Sequence, residues 1–181
     1  MRLHEERWPV VPRPFADELF GSWFGRVAGV YRMNVDELAS TAGLQLDFGR
    51  TGLGHWLAAS APRGAGLQRL ANLCRLTPAV LAKLGERAST SNAQDRAWYC
   101  HKCLFLNPLD VRWPYWRAPW LGGQGLPCRL HGEAAEFVFA AGLAKHKNMP
   151  RLLKFISRRR SHREFLSGRR QTGASMVCGY E

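Results

Sequence analysis

The chain has 181 residues, of which 46% are hydrophobic, so it can bury a core and is not a disordered protein. It has no run of about 18 uncharged apolar residues, and its first residues (MRLHEERW) lack the apolar stretch of a signal peptide. We therefore expect a soluble, cytoplasmic protein that does not contact a membrane. The 26 Lys and Arg residues against 14 Asp and Glu give a net charge of +12, which favours a polyanionic partner, nucleic acid above all.

The first predicted helix follows a proline-rich lead-in and extends from Asp17 to about Tyr31. Apolar residues recur along one stripe of this segment, and Asp17 and Glu18 stand where the helix dipole favours acids. Three glycines recur every four residues on another face, which predicts close packing against a neighbouring element: Gly21, Gly25 and Gly29.

Two further helical segments precede the middle of the chain. Asn34 followed by Glu37 has the pattern of a capping box, which predicts a short second helix ending near Thr41. A short helical stretch is expected around residues 55–60, and His55 at its start carries no chemistry that the sequence indicates.

Residues 67–87 predict two short helices joined by a tight turn, which is a helix-turn-helix. Thr77 is the expected N-cap of the second helix and Pro78 its first residue, while Val80, Leu81 and Leu84 should face inward. The second helix of such a motif can enter a major groove, although many helical domains use the same corner only for packing. The candidate nucleic-acid contacts here are Thr77, Lys83 and Arg87.

Four residues have the spacing of a zinc site: Cys100, Cys103, Cys128 and His131. They form a C-x2-C pair, an interval of twenty-four residues and a C-x2-H pair. Each pair can direct two ligands at one ion, and four protein ligands complete the tetrahedron of a structural zinc without an open catalytic position. The alternatives are ordinary buried thiols with a surface histidine, or a site in which His101 replaces His131. Since His101 lies between two ligands, we expect it to point into solvent.

Aromatic residues are concentrated between the two ligand pairs. A small zinc module has little core of its own, so these rings are expected to pack over the metal site and the helical part. An exposed patch for a protein partner or for base stacking is the other interpretation. The candidate partner-binding residues are Trp113, Trp116 and Trp120.

The C-terminal part is strongly basic. Residues 145–181 hold ten Lys and Arg against two Glu, which is most of the net charge. Residues 134–144 are apolar enough for a helix, and apolar residues then repeat at helical spacing from Met149 to Ile156. A basic helix of this kind suits nucleic acid, although a solvated face is the simpler interpretation. The candidate nucleic-acid contacts are Lys154, Arg158, Arg159, Arg160 and Arg163.

The expected fold is therefore mainly α. We predict a helical domain with a helix-turn-helix over residues 9–88, a small zinc-binding module over 96–135, and a basic C-terminal helical region and tail over 136–181.

The order of these motifs resembles the TniQ family of transposition proteins over roughly residues 9–135. The resemblance lies in the proline-led entry, Asp17-Glu18-Leu19, Ser22-Trp23 and Arg26, the helix-turn-helix, and the distal WYCHKCL and CRLHG segments. His101 stands where the family usually has Pro after the first zinc cysteine, and the resemblance does not include the long C-terminal domains of many members. Its length resembles the compact members found in CRISPR-associated transposons.

The resemblance implies a targeting adaptor that binds structural zinc and is not an enzyme. Such proteins link a target-recognition element, either their own DNA-binding surface or an RNA-guided CRISPR effector with its guide RNA, to an AAA+ ATPase that recruits the transposase. The resemblance leaves open whether the chain forms a homodimer. Two alternatives remain: a zinc-stabilised helix-turn-helix transcription regulator, and a metal-dependent nuclease or deaminase with Glu133 near His131.

Overall fold

The computed structural model describes residues 7–46, 55–89, 96–105, 114–121 and 125–174, without the side chains of 87–89, 164 and 166–174. The fold is mainly helical, as the sequence predicts. Its helices are α1 (Phe20–Val30), α2 (Val35–Thr41), α3 (Gly64–Cys74), α4 (Pro78–Ser89), α5 (His101–Phe105), α6 (Ala118–Leu121), α7 (Ala140–Lys145) and α8 (Met149–Ala174). A 3-10 turn spans Trp56–Ala58, and two strands, β1 (Arg96–Tyr99) and β2 (Glu136–Phe139), form a small sheet.

Helix α1 is the centre of the core, since every residue from Phe20 to Ala28 is buried. It packs against α2, α4, α8 and the 3-10 turn. The helix begins at Phe20, three residues later than predicted, so Asp17 and Glu18 do not occupy its first turn. Both acids have side-chain partners instead, which replace the expected interaction with the helix dipole.

The glycine face of α1 confirms the expected close packing. A Cβ at Gly21 would collide with the carbonyl oxygen of Trp56 and lie 2.7 Å from that of Leu57. A Cβ at Gly29 would lie 2.6 Å from the Pro150 ring at the start of α8. The 3-10 turn and α8 can therefore approach the backbone of α1 only because side chains are absent there.

The predicted capping box is present at α2. The Asn34 side chain accepts a hydrogen bond from the Glu37 amide, and the Glu37 carboxylate accepts one from the Asn34 amide, each 2.8 Å long. These reciprocal bonds satisfy two backbone donors at the start of the helix.

Helices α3 and α4 form the expected corner. Arg75 ends α3 in the left-handed conformation (φ 56°), and the Thr77 hydroxyl accepts a hydrogen bond from the Val80 amide. Leu81 and Leu84 are buried as predicted, but Val80 is 40% exposed, so the prediction that it faces inward is wrong. Val80 lies in the first turn of α4, where its side chain faces away from the core, and Leu81 is the next residue and is buried.

The two strands were not predicted. Residues 134–144 are predicted as a helix, but only the part from Ala140 onward is helical (α7). Before it, β2 pairs antiparallel with β1, with Arg96 opposite Phe139 and Tyr99 opposite Glu136. The partners are about forty positions apart in the sequence, and each strand has only four residues. Such short segments carry too few residues for an alternating pattern to be recognised.

Helix α8 buries its apolar stripe against the rest of the fold, with Met149, Leu152 and Ile156 almost fully inaccessible. The side chain of Lys147 pairs with Asp36, and the Asn148 side chain donates to the Met33 carbonyl. The start of the C-terminal part is thus fixed to the first turn of α2 and to the loop before it. None of the described helices is both long and apolar enough to cross a membrane.

Candidate metal centre and adjacent cavity

The four predicted metal ligands converge. Cys100 directly follows β1, and Cys103 lies in α5, whose first turn is closed by the hydrogen bond from the Leu104 amide to the Cys100 carbonyl. Cys128 and His131 lie on a tight turn in which the Gly132 amide donates to the Cys128 carbonyl at 2.7 Å. Gly132 has φ 65°, a conformation that glycine adopts without a steric penalty.

The four ligand atoms all lie within 4.8 Å of one another, and four of their six separations match those of a tetrahedral zinc ion. Zinc with Zn–S bonds of about 2.3 Å and a Zn–N bond of about 2.0 Å places two sulfurs about 3.8 Å apart and sulfur and nitrogen about 3.5 Å apart. Here the Cys103 and Cys128 sulfurs are 3.6 Å apart. The His131 Nδ1 lies 3.5, 3.3 and 3.7 Å from the sulfurs of Cys100, Cys103 and Cys128. The four residues can therefore hold a metal ion.

The thiols differ in their electrostatic surroundings. Burial raises the pKa of Cys103 to about 12, and contact with the Cys128 thiol adds to that effect. Burial also acts on Cys128, but hydrogen bonds from the backbone amides of Leu130 and His131 outweigh it and lower the pKa to about 6. Amide donors directed at a thiolate are the outer-shell support that a metal–thiolate bond uses.

His101 is not part of this cluster. Its ring stacks on Phe105, with the ring centroids 4.8 Å apart, and it is half-buried. The expectation that it points into solvent is therefore wrong, and the histidine that lies with the three cysteines is His131. Glu133, the residue that a deaminase would use, is paired with Lys102 at 2.7 Å.

A cavity of about 510 Å³ adjoins the cluster. It is lined by Cys100, Cys103 and Cys128 together with Trp98, Pro119 and Trp120. Leu126 and Leu130, on the loop that carries Cys128, line its rim and are 69% and 68% exposed. Large apolar side chains beside a cavity are typical of a surface that receives a partner.

The sequence did not single out this cavity. Leu126 and Leu130 flank Cys128 in the segment LPCRL. Two leucines beside a predicted zinc ligand are the sequence feature that could have indicated the cavity. Trp98 was also missed. Its ring packs against Gly125, which has φ 80°. A Cβ at Gly125 would lie 2.9 Å from the Trp98 ring.

The three tryptophans predicted as partner contacts differ in position. Trp116 is fully buried and its indole Nε1 donates to the Trp98 carbonyl at 2.9 Å, so the expectation of an exposed partner contact is wrong for this residue. Trp116 is part of the core because its ring packs against Tyr99 of β1, while its backbone amide is bonded to Ser22 of α1. Trp120 is partly buried and lines the cavity. Trp113 lies outside the described residues.

The residues Asp17, Glu18 and Ser22 connect α1 to the segment between the two ligand pairs. The Ser22 hydroxyl donates to Glu18 and accepts from the Trp116 amide at 2.8 Å. Asp17 accepts a hydrogen bond from the Tyr115 hydroxyl at 2.8 Å. Backbone bonds from Leu19 to Trp116 and from Ala118 to Asp17 run alongside. These interactions fix the position of the cavity wall relative to the helical core.

The predicted nucleic-acid contacts form two groups. Thr77, directly before α4, and Lys83 on α4 are exposed, and Arg87 is on the same helix with its side chain outside the described residues. On α8, Lys154 and Arg158 are exposed and Arg159 is half-buried. Arg160 and Arg163 both bind Glu136, at 2.9 and 2.6 Å. The two groups thus lie on different helices.

Comparison with protein families places the chain. The TniQ family model matches residues 9–134, more than two thirds of the sequence. The chain belongs to the TniQ family. No curated protein and no solved structure matches it. Membership identifies a transposition-associated targeting protein, in a family whose proteins are adaptors rather than enzymes.

Proposed function

We propose that this TniQ protein is an adaptor that connects a target-recognition complex to an AAA+ transposition ATPase. The observation that carries the proposal is the apolar cavity beside the cysteine–histidine cluster, on a chain of this family. The target-recognition element would be either DNA bound by the protein itself or an RNA-guided CRISPR effector. Either requires one surface for the target and another for the ATPase.

The cluster would hold a structural Zn²⁺ through Cys100, Cys103, Cys128 and His131. A bound Zn²⁺ would neutralise the thiolates and join the two ligand pairs. The match between the observed atom separations and those of a tetrahedral zinc site supports this assignment. With four protein ligands the ion would have no open position, so its role is to fix the loop that carries Leu126 and Leu130.

The ATPase would bind at the cavity. Trp120 lines the cavity, and the two exposed leucines lie at its rim. Tryptophan is enriched among the residues that contribute most to the binding energy of interfaces. Arg117 beside it pairs with Asp17 at 3.3 Å and stays in the wall. Because the rim is held by the metal ligands, loss of the ion should also disrupt this surface.

DNA would be contacted by the basic residues of α8 and by the outer side of α4. Lys154 and Arg158 are exposed, and neither has a carboxylate partner among the described residues. Thr77 and Lys83 are exposed on the second helix of the corner. Contacts of this kind add affinity through phosphate neutralisation.

A pull-down with the AAA+ ATPase of the same element tests the proposal. Trp120→Ala should lower affinity for the ATPase by about thirtyfold and abolish targeted insertion, while metal content and circular dichroism remain unchanged. Val10→Ala, which removes another exposed apolar side chain (59% exposed), is the matched control and should bind as the parent does. Equal binding by the Trp120 variant would contradict the proposed surface.

The corner of α3 and α4 favours a second candidate, a zinc-stabilised helix-turn-helix regulator. Its second helix exposes Thr77 and Lys83 to solvent, as a recognition helix would. The two functions differ in their consequences. A regulator binds one operator tightly without the ATPase and loses that binding in Lys83→Ala, whereas an adaptor retains ATPase binding in this variant.

A further inference from the structure

The outer face of the β1–β2 sheet carries aromatic and arginine side chains. Because side chains alternate along a strand, Arg96 and Trp98 share one face with their partners Phe139 and Phe137. The other face carries Ala97 and Val138, both buried in the core. The sheet thus has one face committed to the fold and another that is not.

The rings on the outer face form a continuous cluster. Phe137 lies between Trp98 and Phe139, with ring centroids 4.9 and 5.0 Å from theirs. The Arg96 guanidinium lies 4.7 Å from the Phe137 centroid and 5.5 Å from that of Phe139. Phe139 is 45% exposed, so part of this aromatic cluster is open to solvent.

Positive charge surrounds this cluster. The Arg159 guanidinium lies 6.0 Å from the Phe139 centroid, and Arg158 precedes it on α8. Arg96, Arg158 and Arg159 have no carboxylate partner in the part of the chain that the structure describes. Glu136, at the end of the sheet, is already neutralised by Arg160 and Arg163.

From this arrangement we infer that the outer face of the sheet, with the exposed Phe139 ring as its main contact, is a stacking platform for unpaired bases of single-stranded nucleic acid. Bases stack on aromatic rings and on arginine planes, and their phosphates would reach Arg158 and Arg159. The faces of bases within a duplex are covered by their neighbours, so a duplex cannot use the ring. Trp98 belongs both to this cluster and to the lining of the cavity beside the metal ligands, but Phe139 and the arginines do not line that cavity.

Fluorescence anisotropy with the full-length, metal-loaded protein tests the inference. The probes are a labelled 12-nucleotide oligothymidylate, the matching oligouridylate, and a 12-base-pair duplex. Phe139→Ala should weaken single-strand binding by about five- to a hundredfold and change duplex binding less than about twofold. The two single strands distinguish DNA from RNA as the source of the bases.

Two further variants separate stacking from folding. Phe139→Trp should retain or strengthen single-strand binding, while Phe139→Leu, which keeps apolar bulk but has no π face, should lose it. An oligonucleotide with one 2-aminopurine should show quenching with the parent protein and little with the leucine variant.

Three results would overturn the inference. These are equal losses on single strand and duplex, unchanged single-strand binding in both Phe139→Ala and Phe139→Leu, and competition by polyglutamate as effective as that by the oligonucleotide. The last would mark the face as a site for an acidic protein. No ATPase takes part, so this site and the adaptor proposal can fail independently.

Discussion

Arg26 holds the Glu18 carboxylate with two nitrogens, Nε at 2.8 Å from Oε1 and Nη2 at 2.6 Å from Oε2, and both side chains are buried. Arg26 Nη2 also donates to the Arg13 carbonyl, and the Phe15 amide donates to Glu18. The pair therefore fastens the lead-in segment to α1.

The first prediction concerns this pair. Glu18→Gln should lower the free energy of unfolding by about 3–5 kcal/mol, because it leaves a buried guanidinium without its counter-charge. Arg26→Met should cost a similar amount, and the double variant less than the sum of the two. Urea unfolding measures all three. Lys147→Ala, which removes a partly exposed partner of Asp36, should cost less than about 1 kcal/mol.

Metal removal gives the second prediction. The purified protein should contain about one zinc per chain, and Cys103→Ser should lose it and become less stable, since metal binding contributes to folding. Cys74→Ala removes a buried thiol that is not one of the four proposed ligands and should retain the metal. Elemental analysis decides between them, and folded parent protein without metal would refute the site.

Third, the glycine face of α1 should not tolerate side chains. Gly21→Ala places a methyl group against the backbone carbonyls of Trp56 and Leu57, which cannot move as a side chain would. We expect a loss of about 1–3 kcal/mol or more in thermal or urea unfolding. Gly66→Ala, at a half-buried position in α3, should change stability by no more than about 1 kcal/mol.

The fourth prediction is a pH dependence that His55 causes. Burial lowers the pKa of His55 to about 4, and neither ring nitrogen has a hydrogen-bond partner among the described residues. Below the ordinary histidine pKa of about 6.5, His55 takes up a proton in the unfolded chain but stays neutral in the folded protein. The free energy of unfolding therefore falls as the pH is lowered from about 6.5 toward 4. His55→Phe should reduce this fall. The difference between parent and variant in urea unfolding at pH 7 and pH 5 isolates the residue from other titrating groups.

Fifth, the basic residues of α8 should act through phosphate. Lys154→Ala combined with Arg158→Ala should lower the slope of log K against log salt on duplex DNA by about 1.8 if both contact phosphate, for every sequence alike. Arg129→Ala, an exposed arginine on the metal-binding loop, should leave the slope unchanged. Loss of binding to a single sequence only would point to base contacts instead.

Local patterns predicted much of this molecule. The capping box at Asn34, the corner of α3 and α4, and the apolar stripe of α8 depend on residues within one or two helical turns. The cysteine–histidine spacing likewise predicted a cluster because each ligand pair is local. The complete cluster then requires only one long-range contact, the one between the two ligand pairs.

The features that the sequence did not predict depend on contacts between residues that are far apart along the chain. Glu18 looked like an acid at a helix start, and only the fold brings it to Arg26 and Ser22 inside the core. The β1–β2 pairing and the burial of Trp116 likewise require contacts between segments that no local period encodes. The cavity forms only when these long-range contacts are in place.

The packing of α7 and α8 has a consequence for where this protein can be divided. The family match ends at residue 134, yet Leu143, Met149, Leu152 and Ile156 are buried in the same core as α1. The indole of Trp56 donates to the Leu143 carbonyl, and Val138 backs the strand that leads to Cys100. A fragment cut at the end of the match would leave α1 with an open apolar side and β1 without its partner. The segment that the family model matches is thus shorter than the segment that builds this core, so chimaeras between relatives should be joined beyond residue 156 rather than at 134.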